Sequence, residues 1–164
     1  MKSTKSQTYQ DSAIAAYVKL VRTAETLHGE VSRGLTPNGL TASQFSTLKV
    51  LKLRGAIPQK EIATYLLKTG GNVTVVVDNL ERMGLVQRAR DKADRRLVFV
   101  SLSASGEELF DNLYPAHRLR IEKAMNSLST EEFDQLTSLL NKLHTQTVEA
   151  LCTPTEADDK RAAS

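Results

Sequence analysis

A mainly α-helical fold with one small β-hairpin is what this sequence predicts, and three observations predict it. Apolar residues recur at helical spacing along most of the chain, the period falls to two only between residues 85 and 102, and capping signals stand where helices should begin. About 60% of the chain reads as helix, against ~30–35% in ordinary globular proteins. The 164 residues, 40% of them apolar, suit one domain with a core.

The elements follow in order. Residues 1–11 are polar and aperiodic and read as a flexible N-terminus; residues 153–164 read as a disordered tail. Between them, 12–152 reads as one domain. Ile14, Tyr17, Val18, Val21, Leu27 and Val31 give a first helix over about 12–34, with Asp11 or Ser12 as its N-cap. Residues 34–39 (Gly-Leu-Thr-Pro-Asn-Gly) break it. Thr41-Ala-Ser-Gln44 has capping-box spacing: the hydroxyl takes an orphan amide and Gln44 reaches back. Phe45, Leu48 and Leu51 form the second helix's stripe, which Arg54-Gly55-Ala56 stops. Pro58 suits the first turn of a third helix, where its missing amide costs nothing, and Ile62 and Leu66 face inward from it.

After a turn at residues 68–71, Val73, Val76, Val77 and Leu80 form the inner face of a fourth helix ending at Met83-Gly84. Valine propensity alone allows a strand over 73–77; the spacing and the flanking glycines favour the helix. Residues 85–88 and 97–102 alternate as strands around a polar loop over 89–96. Ser103 caps a long helix carrying Leu109, Leu113, Ile121 and Met125, in which Pro115 is expected to make a kink. A second capping box, Ser129-Thr-Glu-Glu132, opens a last helix with Phe133, Leu136, Leu140, Leu143 and Leu151.

Two short helices, a tight turn and a hairpin in that order make a winged helix-turn-helix over about 41–102. Its second helix has the dimensions of the DNA major groove, about 12 Å wide. With Val73, Val76, Val77 and Leu80 turned inward, the outward stripe is Asn72, Val75, Asn79 and Arg82. Asn can bond bidentately to adenine, Val can touch a thymine methyl, and Arg can take guanine or phosphate. Over residues 82–96, Arg82, Arg88, Arg90, Lys92, Arg95 and Arg96 oppose only Asp91 and Asp94, a local charge of +4 where the whole chain carries +3. Beside a recognition helix, that is an electrostatic footprint for phosphates, and an arginine at a hairpin tip can enter a narrow minor groove.

Four stretches then resemble the MarR (multiple antibiotic resistance regulator) family. They are Leu40-Thr-Ala-Ser-Gln-Phe45; Gln59-Lys-Glu-Ile-Ala63; Val73-Thr74 through Asp78-Asn-Leu-Glu81 with Gly84-Leu85-Val86; and Asp91-Lys-Ala-Asp-Arg-Arg96 followed by Leu102-Ser-Ala-Ser-Gly106. Each is weak alone; in this order, across about 12–150, they are specific. The resemblance implies a homodimer whose helices over about 12–34 and 104–151 interlock and flank the winged helix-turn-helix. Taken with the outward stripe and the wing charge, the residues expected at DNA are Lys68, Thr69, Asn72, Thr74, Val75, Asn79, Arg82, Arg88, Arg95 and Arg96. By matched position, Thr74 and its neighbours would read the major groove, Arg96 would enter the minor groove, and Asp94 would brace the wing by a salt bridge. Family members often carry Arg where this chain has Val75, which implies fewer polar base contacts and a different operator.

The resemblance also implies a small-molecule effector, held between the dimer helices and the winged module, and by approximate location Tyr17, His28 and Leu48 are its candidates. Plain core packing is the simpler account of each. The stretch Thr69-Gly-Gly-Asn72 is similar to members that respond to quinones and phenolic compounds. Peroxide-sensing members carry a reactive cysteine near the first helix; this chain's one cysteine, Cys152, lies at the edge of the tail and reads as incidental. His28, His117 and His144 are far apart, none with a histidine at i+4, so no metal site is expected.

No phosphate loop, Gly-x-Ser-x-Gly elbow or Cys/His pairing occurs, and Glu131-Glu132 sits where it complements a helix dipole. The expectation is a non-enzyme without cofactor. No apolar run approaches a membrane span and no 7–15-residue apolar segment follows Met1-Lys2-Ser3-Thr4-Lys5, which points to a cytoplasmic protein without a membrane partner. The function expected is a dimeric transcriptional repressor on a pseudo-palindromic, double-stranded operator, released by a phenolic, quinone or other aromatic effector. The alternative is a helical interaction adaptor that retains the winged fold without specific DNA binding, against which the paired wing arginines and the outward stripe argue.

Overall fold

A computed structural model describes residues 3–66, 69–91, 94 and 96–152. The chain divides into two compact units, Met1–Ala124 and Met125–Ser164. In the first, helix α1 (Ser3–Ser32) leads through a 3₁₀ turn (Thr36–Asn38) into α2 (Ala42–Arg54), strand β1 (Ile57–Pro58), α3 (Gln59–Leu66), α4 (Gly70–Arg82), strands β2 (Val86–Arg90) and β3 (Val98–Leu102), and α5 (Ala104–Met125). The second unit carries α6 (Thr130–Cys152). This is the mainly helical architecture with a small wing that the periodicity predicts, with two differences.

The first lies in α1, which begins at Ser3 rather than at Asp11 or Ser12. Ser12 is an interior helical residue whose hydroxyl donates to the Thr8 carbonyl at 2.8 Å. No glycine or proline interrupts residues 3–28, so the helix extends N-terminally beyond Ile14, the first residue of its apolar stripe. The second is an added strand. Ile57 and Pro58 pair antiparallel with Val100 and Phe99, giving a three-stranded sheet in the order β1-β3-β2 instead of a lone hairpin. Pro58 therefore ends a strand, and α3 starts one residue later. Two residues are too short to show a period, and the buried Ile57 side chain is what holds them against β3.

Local signals place the other boundaries. At the start of α2 the Gln44 amide donates to Thr41 Oγ1 (3.2 Å), and the Thr41 amide donates to Gln44 Oε1 (2.7 Å), completing the capping box. Ser129 and Glu132 repeat this reciprocal pattern ahead of α6. Gly84, at φ 72°, lets the chain leave α4 and turn into β2. Ser103 closes the sheet onto α5: its hydroxyl donates to the Gly84 carbonyl (2.6 Å) and accepts from the Gly106 amide (3.0 Å). Helix α5 runs through Pro115 without interruption. The expected tail, 153–164, lies outside the described residues.

The core sits inside the winged module. Leu35, Leu40, Phe45, Leu48, Leu51, Ile57, Ile62, Val73, Val77, Leu80, Leu85, Val86, Val100 and Phe110 are all buried, drawn from the residues flanking the 3₁₀ turn and from α2, α3, α4, the three strands and the first turns of α5. Phe45 stacks on Phe110 (5.4 Å between centroids), and Phe110 on Tyr114 (5.2 Å), pinning α2 to α5. Lys52 adds ion pairs to Glu107 and Asp111 across the same two helices. Burying a side chain the size of Phe or Leu stabilises by about 1.5–3 kcal/mol, so this cluster dominates the platform on which α4 and the wing stand.

Candidate nucleic-acid interface

Helix α4 is amphipathic in the register the sequence predicts. Val73, Val77 and Leu80 are buried, Val76 is half-buried, and Asn72, Thr74, Val75 and Arg82 face solvent. Thr69 caps the helix, its hydroxyl taking the Asn72 amide. Val75 is 61% exposed, an aliphatic side chain in a polar row. It borders a cleft of about 300 Å³ shared with Ser43, Leu66, Asn72, Val73 and Val76. Asn79 is half-buried, and its Oδ1 accepts from Arg82 Nη2 at 2.7 Å, so these two outward polar groups form one unit.

The wing is closed by backbone bonds from Asp91 N to Leu97 O and from Leu97 N to Asp94 O. Within that turn Asp94 is the organiser. Its amide donates to Asp91 Oδ1, its Oδ1 accepts from the Arg96 amide and Nε (3.0 Å each), and its Oδ2 accepts from Arg96 Nη2 (3.2 Å). The Arg96 side chain, followed by its backbone amide, holds the Asp94 carboxyl below the usual carboxylate range, and Lys60 adds to the effect. The Arg96 side chain is nevertheless 90% exposed. A fork–fork pair at a hairpin tip aims a cation outward while leaving it accessible.

Arg88 is differently placed. Its side chain is only 20% exposed, and its guanidinium donates to Asp78 and Glu81 of α4 and to Gln59 of α3. Gln59 Nε2 in turn donates to Thr74 Oγ1 at 3.0 Å. Gln59, Asp78 and Glu81 are site residues that sequence reasoning did not single out. The available signal was the three-residue spacing of Asp78 and Glu81, which puts two carboxylates on one side of a helix meant to approach phosphates. Such a pair calls for a cation.

Of the residues expected at DNA, Thr69, Asn72, Thr74, Val75, Asn79 and Arg82 thus lie on or beside α4, and Arg96 at the wing tip. Arg88 lies between helix and sheet, and Lys68 and Arg95 lie outside the described residues. The three effector candidates share no exposed surface. Leu48 is fully buried in the core, whereas Tyr17 and His28 are exposed on α1. Another group on α5 draws notice instead: His117 packs on Phe45 (4.5 Å between centroids), and its Nδ1 is buried without a hydrogen-bond partner. Burial, then the charges of Lys49 and Arg120, push its pKa below the ordinary histidine value. Among the described residues there is no cluster of metal-ligating side chains and no helix long and apolar enough to cross a membrane.

Comparison with known proteins agrees with this geometry. The MarR family pattern matches residues 40–98, which run from the start of α2 to the wing. The HTH-type transcriptional regulator YkoM of Bacillus subtilis is 36% identical over 138 residues, covering 83% of this chain and 90% of that protein. Among solved structures, Bordetella bronchiseptica BpsR, whose DNA binding is regulated by 6-hydroxynicotinic acid, is similar with a TM-score of 0.71 at 25% identity, covering 76% of this chain and 89% of that one. A mutant of MarR from E. coli, solved with operator DNA, shares the fold with a TM-score of 0.75 at 22% identity over 81% of this chain and 96% of that one. These relatives are transcription regulators rather than enzymes, and the likeness to YkoM extends well beyond the matched pattern: the chain belongs to the MarR family of transcriptional regulators.

Proposed function

We propose that this protein is a cytoplasmic, dimeric repressor that binds a pseudo-palindromic operator through α4 and the wing, and that a small aromatic effector releases it. The observation that carries the DNA reading is the pairing of an outward α4 face, Asn72, Thr74, Val75 and the Asn79–Arg82 unit, with an exposed Arg96 aimed by Asp94. Asn72 and Asn79–Arg82 offer base-edge or phosphate hydrogen bonds, Val75 offers an apolar contact for a thymine methyl, and Arg96 suits the negative potential of a narrow minor groove. Thr69, at the start of α4, is a further candidate phosphate contact.

Dimerisation is supported by α1, on which Ile14 and Tyr17 are more than 60% exposed. Two copies would read half-sites about one helical turn apart. An aromatic effector class is supported by the likeness to BpsR and by the α2–α5 face, where the unpartnered His117 Nδ1 and the Lys49 ammonium stand beside stacked rings. Such a ligand need only prefer one dimer geometry by about 1–3 kcal/mol to change operator occupancy.

The test is fluorescence anisotropy on the intergenic DNA upstream of the protein's own gene and on a scrambled duplex, across a salt series. Operator preference with a steep salt slope is the expected result, and release on adding phenols, quinones or hydroxylated aromatic acids identifies the effector class. Equal, weak binding to both duplexes, with and without these compounds and on other promoters, would overturn the DNA reading in favour of a protein-binding adaptor.

A further inference from the structure

Arg88 belongs to the most cationic stretch of the chain, yet every nitrogen of its guanidinium is engaged inside the protein. Nη2 donates to Asp78 Oδ1 and Nη1 to Glu81 Oε2, both at 2.5 Å, and Nε donates to Gln59 Oε1 at 3.1 Å. Gln59 passes the connection on to Thr74 Oγ1, which itself donates to the Gly70 carbonyl in the first turn of α4. One side chain on β2 is therefore tied to α4 at three levels, the first turn, the middle and the last turn, and to the start of α3.

We propose that Arg88 is a positioning residue for sequence-specific DNA binding, a clamp that fixes the recognition helix against the wing rather than a phosphate contact. The proposal rests on the assignment of α4 and the wing to DNA made above. To reach a phosphate, Arg88 would have to abandon two charge-assisted bonds and leave Asp78 and Glu81 uncompensated near the DNA backbone, where carboxylates are repelled. Held as it is, the guanidinium neutralises both carboxylates and sets the angle between the element that reads bases and the hairpin that carries Arg96. Only a planar fork can serve three acceptors in one plane, so lysine should not replace it.

The experiment measures operator and scrambled-duplex binding across a salt series for wild type, Arg88→Met, Arg88→Lys, the double variant Asp78→Asn with Glu81→Gln, and the triple variant with Arg88→Met. Thermal melts run alongside. A clamp predicts that Arg88→Met loses about tenfold of the operator-over-scrambled preference, as expected when a coupled network is broken. Its salt slope on scrambled DNA stays at the wild-type value, and Arg88→Lys fails to restore the preference. The double variant, lighter by two negative charges, binds scrambled DNA more tightly but loses the same preference, and the triple variant is no worse than either.

A uniform loss on both duplexes by Arg88→Met, with the log–log salt slope smaller by about one, would make Arg88 a phosphate contact and overturn the clamp. Tighter operator binding by the double variant with preference intact would overturn it equally. If Arg88→Met does not fold, the double variant, which retains Arg88, decides between these outcomes. A wild-type protein with no operator preference would instead bring down the DNA assignment itself, and the clamp with it.

Discussion

Two side chains show how accessibility and burial lead to different expectations. The Arg96 side chain hydrogen-bonds to Asp94 and is 90% exposed, so its removal disturbs little of the fold. Arg96→Ala should weaken operator binding and reduce the salt slope by about one unit while leaving the melting temperature unchanged. Unaltered affinity at matched salt would remove Arg96 from the interface. His117 is the opposite case, a titratable ring pressed on Phe45 with Lys49 and Arg120 nearby. Its folded pKa lies below the ordinary 6.5, so below pH 6.5 the unfolded chain takes up a proton that the folded one resists. The stability it contributes is complete above pH 6.5 and declines as pH falls toward the lowered folded value. The deficit of His117→Gln relative to wild type should therefore be largest above pH 6.5 and shrink as pH falls below it, in denaturant titrations. A gap independent of pH would mean that the ring acts through packing alone.

At the scale of elements, boundaries follow short-range chemistry and can be perturbed there. Thr41→Ala removes one half of the α2 capping box and should cost about 1 kcal/mol of stability without touching DNA affinity, as chemical denaturation against anisotropy would show. Gly106 marks a closer fit. A Cβ at that position would fall on the Leu85 carbonyl, so Gly106→Ala must push α5 away from the base of β2. The loss should exceed that of Thr41→Ala, because the clash is with backbone that cannot rotate aside. These features also explain what was legible beforehand. Capping boxes at Thr41 and Ser129, the α4 stripe and the wing charge are all encoded within a few neighbouring residues. β1 and the Gln59–Arg88–Asp78–Glu81 network are not. Ile57 becomes a strand residue only because β3 arrives beside it, and Arg88 turns inward only because α4 supplies two carboxylates from ten and seven residues earlier. The cation count of the 82–96 stretch was correct, but counting could not separate an exposed arginine from one already neutralised.

For the whole molecule, charge and apolar surface are distributed in complementary ways. The chain carries +3 in total and the stretch 82–96 carries +4, so the remainder is slightly acidic and the positive field is concentrated at the wing. The winged module has a complete core, whereas α1 leaves Ile14, Tyr17, Val18 and Leu20 at 40% exposure or more, and α6 leaves Leu139 62% exposed. A contiguous apolar helix face of this kind is costly in water and marks a surface that associates. If a second copy covers it, folding and association are linked, and the melting temperature must rise with protein concentration. Ile14→Glu with Tyr17→Glu should then abolish the concentration dependence and convert the sedimenting species from dimer to monomer. DNA binding supplies the independent readout. The charged variant should lose far more affinity on a duplex carrying the full inverted repeat than on one carrying a single half-site, because only the former gains from two linked modules. A wild-type protein that sediments as a monomer, melts at the same temperature across a hundredfold range of concentration and binds both duplexes equally would show that one module acts alone, and that the apolar face of α1 serves some other partner.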